Sequence, residues 1–163
     1  MKEIIANKKF PKNFKFGKLV YVGLLGTIAF NVAMHFDIAI TGIPLDIVAV
    51  LGNLTIGESE SSQTIGQAIH LANGVGLSLF FGYVFLPIST KIIKGRIWFH
   101  GIIFGILVTV TAVWLGMLPA LGAGIAGLDI APEVPAMTMF RHIIFGAVIG
   151  ILFKPTSDGG SRS

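Results

Sequence analysis

The chain has 163 residues, of which 53% are hydrophobic and only 12% are charged, and its mean hydropathy is +0.83. Soluble domains carry about 25% charged residues, so this composition is typical of a membrane protein. The chain contains no cysteine. That absence excludes disulfides, thiolate metal sites, cysteine nucleophiles and covalent attachment of c-type haem.

The first predicted element is a basic N-terminal segment, residues 1–18, with the sequence MKEIIANKKFPKNFKFGK. It is too charged and too interrupted to be a cleaved signal peptide, which needs one apolar core and a small-residue cleavage site. We expect it to remain as a cytoplasmic segment. Residues 19–154 are predicted to form a transmembrane domain, and the polar residues 155–163 a disordered tail.

Four membrane spans follow in the predicted transmembrane domain. A spanning helix needs about 20 mainly apolar residues, and residues 19–41, 65–88 and 97–121 meet that length. A fourth apolar run, residues 140–153, is short but can be extended by the preceding sequence VPAMTM. The predicted fold is therefore an all-α membrane protein with four transmembrane helices in a bundle.

A shorter apolar segment, IPLDIVAVLGNL, lies between the first two spans at residues 43–54. Pro44 and Asp46 near its start favour a helix N-terminus, where Asp46 acts as a helix-start acid. The segment is too short to span a bilayer, so we predict an interfacial or re-entrant helix that lies on the membrane or dips into it.

The distribution of basic residues predicts the orientation of the spans. With the N-terminus inside, only Arg141 of the 12 lysines and arginines falls on the outer side. The inner side holds Lys2, Lys8, Lys9, Lys12, Lys15, Lys18, Lys91, Lys94, Arg96, Lys154 and Arg162. The positive-inside rule then places both termini in the cytoplasm of a multi-pass protein of the cell (plasma or inner) membrane. Because the basic residues flank spans, the net charge of +4 does not indicate nucleic-acid binding.

Polar and ionisable residues recur near the predicted outer ends of the spans. They are His35, Asp37, Asp46, Gln67, His70, Asn73, Arg141 and His142. Such groups are costly inside a membrane and usually face the bundle interior or a water-filled cavity. His35 and Asp37 are two residues apart and point to different faces of one helix. We expect Asp37 to pair with Arg141.

Two of these histidines are each followed by a glycine four residues later, His70 by Gly74 and His142 by Gly146. Each glycine is expected to leave a gap beside its histidine, an arrangement that suits a b-type haem held between two axial nitrogens. A first-row transition metal bound by His35, His70 and His142 is a related hypothesis. In the alternative interpretation, the histidines hydrogen-bond to Asn73, Gln67 or backbone carbonyls and only hold helices together.

The spans carry a recurrent pattern of histidine, glycine and proline. It is found in GQAIHLANGVGLSLFFGYVF, GRIWFHGIIFGILVTVTAVWLGMLPALGAG and FRHIIFGAVIGIL. The pattern positions are His70, Gly74, Gly101, Gly105, Pro119, Gly122, His142, Gly146 and Gly150. With this pattern the chain resembles, over residues 20–153, an uncharacterised family of small four-span prokaryotic membrane proteins. The resemblance implies the four-span architecture and no established activity, and it does not extend to His35.

No catalytic motif accompanies these residues, so whether the chain is an enzyme stays open. We expect an accessory or structural membrane subunit organised around the polar cluster. The alternatives are a haem- or metal-binding subunit of a redox complex, and a channel or transporter for a proton or small solute. In the transport alternative, Asp37, His70, Asn73 and Arg141 line the path, and flux changes near the histidine pKa of about 6.5. The expected partners are the lipid bilayer and either further copies of the chain or a larger membrane complex.

Overall fold

The computed structural model describes residues 16–153, and within them the chain is helical with no strand. The five main helices are α1 (Phe16–Thr41), α2 (Ile47–Ile56), α3 (Ser62–Ile92), α4 (Ile97–Ala120) and α5 (Val134–Leu152). All of them except α2 are long and apolar enough to cross a membrane. This confirms the predicted four-helix membrane bundle with one short additional helix. Residues 1–15 and the predicted tail lie outside the described residues.

The last span includes the extension that the sequence allowed. Its predicted apolar run starts at residue 140 and can be extended by VPAMTM, and α5 begins at Val134, the first residue of that extension. Pro135 lies in the first turn, where its fixed φ suits a helix and its missing N–H leaves no hydrogen bond unmade. The sequence VPAMTM is therefore helical and gives the span 19 residues.

The short helix α2 begins as predicted, with Asp46 as its N-cap. The Asp46 carboxylate accepts hydrogen bonds from the backbone N–H groups of Val48 at 2.8 Å and Ala49 at 3.2 Å. The helix ends at Gly57, whose φ of 73° is readily adopted only by a residue without a side chain. These two residues explain why a ten-residue helix forms here.

The order of packing places α1 between α3 and α5, with α5 against α4 and α2 against α3. Successive long helices alternate in direction, so the bundle has an α2 end, which also carries the loop before α5, and a Gly95 end, which carries the α3–α4 loop. Helices α3 and α4 contact each other through the segments next to that loop. Their remaining halves diverge toward the α2 end.

Glycines allow the closest helix contacts. A Cβ atom added to Gly101 in α4 would overlap the carbonyl oxygen of Gly146 in α5, and the reverse also holds. In the same way, a Cβ atom added to Gly66 in α3 would overlap the carbonyl oxygen of Val48 in α2. These contacts are of the small-residue kind that holds membrane helices together.

The Gly95 end has a densely packed aromatic core. Phe81 of α3 lies 5.3 Å from Phe104 of α4 and 5.7 Å from Phe153, measured between ring centroids. Phe85 lies 5.1 Å from Phe104. The rings fill the space between α3 and α4 in this half of the bundle, and the opposite half is packed differently.

Candidate functional site

The structure divides the predicted polar cluster into three separate groups. One is a buried ion pair between α1 and α5, one is a polar contact on the outside of the α1–α3 pair, and one lines a cavity. Asp46 belongs to none of them because its carboxylate caps α2. The sequence predicts these residues at comparable depth and separates His35 from Asp37, but it does not show which residues of different helices face one another.

The first group is the ion pair of Asp37 and Arg141, in which the pairing expected from the sequence is present. Arg141 Nε donates to Asp37 Oδ2 at 2.6 Å, and Arg141 Nη2 donates to Asp37 Oδ1 at 2.5 Å. Arg141 Nη1 also donates to the carbonyl oxygen of Leu45 at 2.8 Å. Arg141 is 1% exposed and Asp37 is 7% exposed. The guanidinium therefore joins α1, α5 and the start of α2, and each of its three nitrogens donates one hydrogen bond.

The second group contains His35, Asn31 and Gln67. His35 is exposed, and its Nδ1 lies 2.7 Å from the carbonyl oxygen of Asn31 one turn earlier. Asn31 Nδ2 donates to Gln67 Oε1 at 2.9 Å, which links α1 to α3. His35 thus points away from the bundle interior, on a different face of α1 from the buried Asp37.

The third group lines a cavity of about 1100 Å³ at the α2 end. The cavity lies between α3 and α4, with α2 above it and residues of α1 and α5 at its back. Its walls are mainly apolar, and small residues such as Ala72, Gly76 and Ala112 widen the opening between the two helices. Along α4 the lining extends from Val108 to Leu118, which is about 15 Å of helix at 1.5 Å per residue.

His70 and His142 are polar residues in this cavity wall. Phe30 of α1 contacts both rings edge to face, with centroid distances of 4.9 Å to His70 and 5.0 Å to His142. His70 Nε2 is buried and has no hydrogen-bond partner among the described residues. Asn73, one turn below His70, also lines the cavity and is exposed. The structure therefore brings His70, His142 and Asn73 together.

The backbone of α5 fixes the orientation of the His142 ring. His142 Nδ1 lies 2.8 Å from the carbonyl oxygen of Thr138. A carbonyl oxygen only accepts hydrogen bonds, so in the neutral ring the proton is on Nδ1 and Nε2 carries a lone pair. Because His142 lines the cavity, Nε2 is the ring nitrogen left to meet a ligand, and it meets that ligand as an acceptor.

The three histidines named in the metal hypothesis are not assembled. Across residues 16–153, no three His, Asp or Glu side chains lie close enough together to hold a metal ion. The exposed position of His35 is the reason, because the other two histidines face the cavity. The donor set that would distinguish a metal site is therefore missing from this part of the chain.

The glycines next to His70 and His142 do not leave the expected gaps. A Cβ atom added to Gly74 would overlap Thr27 Oγ1 of α1, and one added to Gly146 would overlap the backbone of Gly101. Because a glycine lets a neighbouring helix approach, the neighbour occupies the space that the missing side chain leaves. The open volume lies elsewhere, between α3 and α4.

Three contributors to the cavity wall were not found from the sequence. Phe30 and Thr138 both line it, and Thr138 Oγ1 accepts a hydrogen bond from Trp114 Nε1 at 2.9 Å. The third is a π-helical segment of α4, Thr109–Met117, a feature that is frequent at functional sites. A threonine within a span, Thr111, is the available sequence signal, because threonine hydroxyls often bond to their own helix and bend it. In the structure, the Thr111 hydroxyl donates to the carbonyl oxygen of Leu107 at 2.7 Å.

His100 is the remaining one of the chain's four histidines, and it lies at the Gly95 end of α4. Its neighbour Trp98 is exposed, but the His100 side chain is completely buried. The backbone of Gly95 lies beside the ring, yet neither ring nitrogen makes a hydrogen bond of ordinary geometry to a described residue. His100 is remote from the cavity and does not contribute to it.

Four apolar spans and a lateral cavity with a small set of polar groups define the class of protein, a small polytopic membrane protein with a candidate ligand site. The chain belongs to the family of unknown function DUF6789, whose model matches residues 17–161. This confirms the predicted membership of an uncharacterised family. No curated protein and no solved structure matches the chain.

Proposed function

We propose that this protein is a non-catalytic membrane subunit that binds one small, mainly apolar molecule in the cavity between α3 and α4. His70 and His142 provide the polar contacts, and the apolar walls hold the rest of the molecule. The observation that carries the proposal is the position of two histidine rings in the wall of a cavity of about 1100 Å³. This keeps the accessory role favoured by the sequence and gives its polar residues a ligand.

The size and lining of the cavity support a ligand of this kind. Small-molecule pockets are typically about 300–1,000 Å³, mostly apolar, with a few polar groups that fix orientation. At about 1100 Å³, this cavity is slightly larger than that range. The buried Nε2 of His70 is unpartnered among the described residues, and a buried polar atom without a partner is costly. A ligand polar group at this position removes that cost.

The same geometry favours binding over passage of a solute across the membrane. Arg141 and Asp37, two of the residues assigned to a solute path, are bonded to each other. Below the cavity, the aromatic core around Phe81 and Phe104 fills the half of the bundle at the Gly95 end. A polar path through one copy of the chain would have to cross this apolar layer.

Filling the cavity tests the proposal. Ala72 and Ala112 line its opening from α3 and α4, so the double variant Ala72→Trp, Ala112→Trp should exclude the ligand. Ala39→Trp is the matched control because Ala39 is exposed on α1, away from the cavity. The protein is extracted from membranes with a lipid-encircling polymer, and co-purifying small molecules are identified by mass spectrometry.

We expect one molecule to be retained by the unmodified protein and by Ala39→Trp, and lost from the double variant. Retention of no molecule, or equal retention by all three proteins, would contradict the proposal. A circular-dichroism spectrum of each protein establishes that the helices remain intact, so that loss of ligand is not loss of fold.

The proposed orientation places the cavity in the outer half of the membrane. It rests on the basic residues Lys91, Lys94 and Arg96 at the Gly95 end and on the acidic residues Glu58 and Glu60 at the α2 end. Single cysteines at Gly95 and Glu60 test it in a chain that has no natural cysteine. A membrane-impermeant thiol reagent added to intact cells should label the Glu60→Cys variant and leave Gly95→Cys unlabelled. The reverse pattern would invert the topology.

A b-type haem between His70 and His142 is the second candidate. It is favoured by the hydrogen bond from His142 Nδ1 to the Thr138 carbonyl, because histidines that bind metals usually donate their other ring N–H in this way. Haem is nevertheless the weaker candidate, because Phe30 contacts both histidine rings and a haem held between them would have to displace it. Purified protein with a haem would show a strong absorption band that both His70→Phe and His142→Phe abolish. A colourless protein from haem-producing cells would exclude it.

A further inference from the structure

We infer that the ligand of this cavity is an apolar alcohol or phenol, whose hydroxyl donates a hydrogen bond to His142 Nε2. The inference rests on the proposed binding function and names the chemical class of the ligand. It follows from the different hydrogen-bonding capacities of the two histidines in the cavity wall.

His142 can offer only an acceptor when its ring is neutral. Its Nδ1 proton is committed to the Thr138 carbonyl at 2.8 Å, and a neutral imidazole has one donor nitrogen and one acceptor nitrogen. The Thr138 carbonyl cannot exchange roles, so the ring cannot change tautomer without losing this bond. A ligand with only ether or ketone oxygens therefore leaves His142 Nε2 without a partner.

His70 does not restrict the ligand in the same way. Within residues 16–153, no backbone carbonyl is hydrogen-bonded to its ring, and its buried Nε2 has no partner there. His70 can therefore donate to an acceptor or accept from a donor. Asn73, which also lines the cavity, has both kinds of group. Of the two histidines, only His142 therefore requires a ligand that donates.

The apolar walls determine the rest of the molecule. The lining of α4 continues from Val108 to Leu118, and Phe30 and Phe145 form part of the back wall. Ala72 and Gly76 at the opening are exposed, and a Cβ atom added to Gly76 would meet nothing within 4 Å. A molecule dissolved in the bilayer can enter between α3 and α4 with its hydroxyl end toward the histidines.

A matched pair of probes tests the inference. The probes are 3-bromo-4-octylphenol and its methyl ether, in which a methyl group replaces the hydroxyl proton and removes the donor. Binding is measured at pH 8, where a histidine with the usual pKa of about 6.5 is neutral, in lipid nanodiscs at known mole fractions. Bromine quenching of Trp114 reports occupancy, since Trp114 donates to Thr138 in the cavity wall. A Trp98→Phe background removes the other tryptophan.

The control variant is supplied by His35. It has the same bond as His142, from Nδ1 to the carbonyl four residues earlier, but it is exposed and does not line the cavity. We expect the phenol to bind about five- to tenfold more tightly than the ether, as one additional neutral hydrogen bond provides. His142→Phe should abolish that difference, and His35→Phe should preserve it.

Equal affinities for the two probes, or tighter binding of the ether, would overturn the inference and leave the binding function standing. A preference for the phenol that survives in His142→Phe would also overturn it, because another residue would then be the acceptor. If neither probe quenches Trp114, both this inference and the proposed binding of apolar molecules fail. If His142→Phe does not fold, the comparison of the two probes on the unmodified protein still decides.

Discussion

Removing the negative charge of Asp37 should be among the most destabilising conservative substitutions in the protein. In Asp37→Asn the side chain keeps its volume, but the guanidinium of Arg141, only 1% exposed, loses its counter-charge. Breaking a buried pair by removing one partner costs about 3–5 kcal/mol, because a buried charge is left uncompensated. For a protein of about this length, 1 kcal/mol shifts Tm by about 2–4 °C, so we expect a decrease of about 6–20 °C.

A double variant separates the effect of the lone charge from that of the missing contact. In Asp37→Leu, Arg141→Met both charges are gone, and buried ion pairs can often be replaced by apolar residues without loss of stability. The carbonyl oxygen of Leu45 then loses its bond from Arg141, which costs about 1 kcal/mol. The double variant should therefore unfold within about 2–4 °C of the unmodified protein.

The measurement is thermal unfolding in detergent micelles, followed by circular dichroism. Asp129→Asn is the control for the loss of one negative charge, because Asp129 is exposed in the loop before α5. An Asp37→Asn protein as stable as the control would refute the assignment of the pair as structurally essential. A double variant no more stable than Asp37→Asn would show that the contact, and not the uncompensated charge, carries the effect.

Four further substitutions test the packing by the same unfolding measurement. Gly146→Ala should cost about 1–3 kcal/mol of stability, because the added Cβ overlaps the Gly101 carbonyl. Gly76→Ala has open space around its Cβ and should be neutral or stabilising by up to about 1 kcal/mol. Equal effects of the two substitutions would contradict this. Asp46→Ala should cost about 1 kcal/mol through loss of the α2 cap, and an unchanged Tm would mean that the cap does not stabilise the fold. His100→Phe should leave Tm unchanged or raise it, since a buried ring whose nitrogens have no hydrogen-bond partner among residues 16–153 becomes apolar. A large decrease would contradict this and show that the ring makes a stabilising polar contact.

Properties that depend on one helix at a time could be predicted from the sequence. The length of an apolar run identifies a span, and the position of Asp46 identifies the start of α2, because capping involves only neighbouring residues. The separation of His35 from Asp37 also follows from the period of one helix. The partner of Asp37 was found because Arg141 is the only basic residue predicted on that side of the membrane.

The cavity could not be predicted, because it depends on how far apart two helices lie. The sequence shows that Gly74 and Gly146 lack side chains, but it does not show whether a neighbouring helix or open space lies beside them. The structure places Thr27 beside Gly74 and Gly101 beside Gly146. Phe30 could not be identified for the same reason. In the sequence it is one of many apolar residues of a span, and only the structure shows that it contacts both His70 and His142.

The ion pair and the cavity are physically connected, although they are separate groups of residues. Arg141 and His142 are consecutive in α5, and Arg141 bonds to Leu45 immediately before the cap residue of α2. The pair therefore holds α2, which covers the cavity, against the helix that presents His142. Because Arg141 Nε, Nη1 and Nη2 each donate to Asp37 or Leu45, we expect the guanidinium to contribute position more than binding. Of the two histidines in the cavity wall, only His142 has a tautomer fixed by a backbone carbonyl of the described residues.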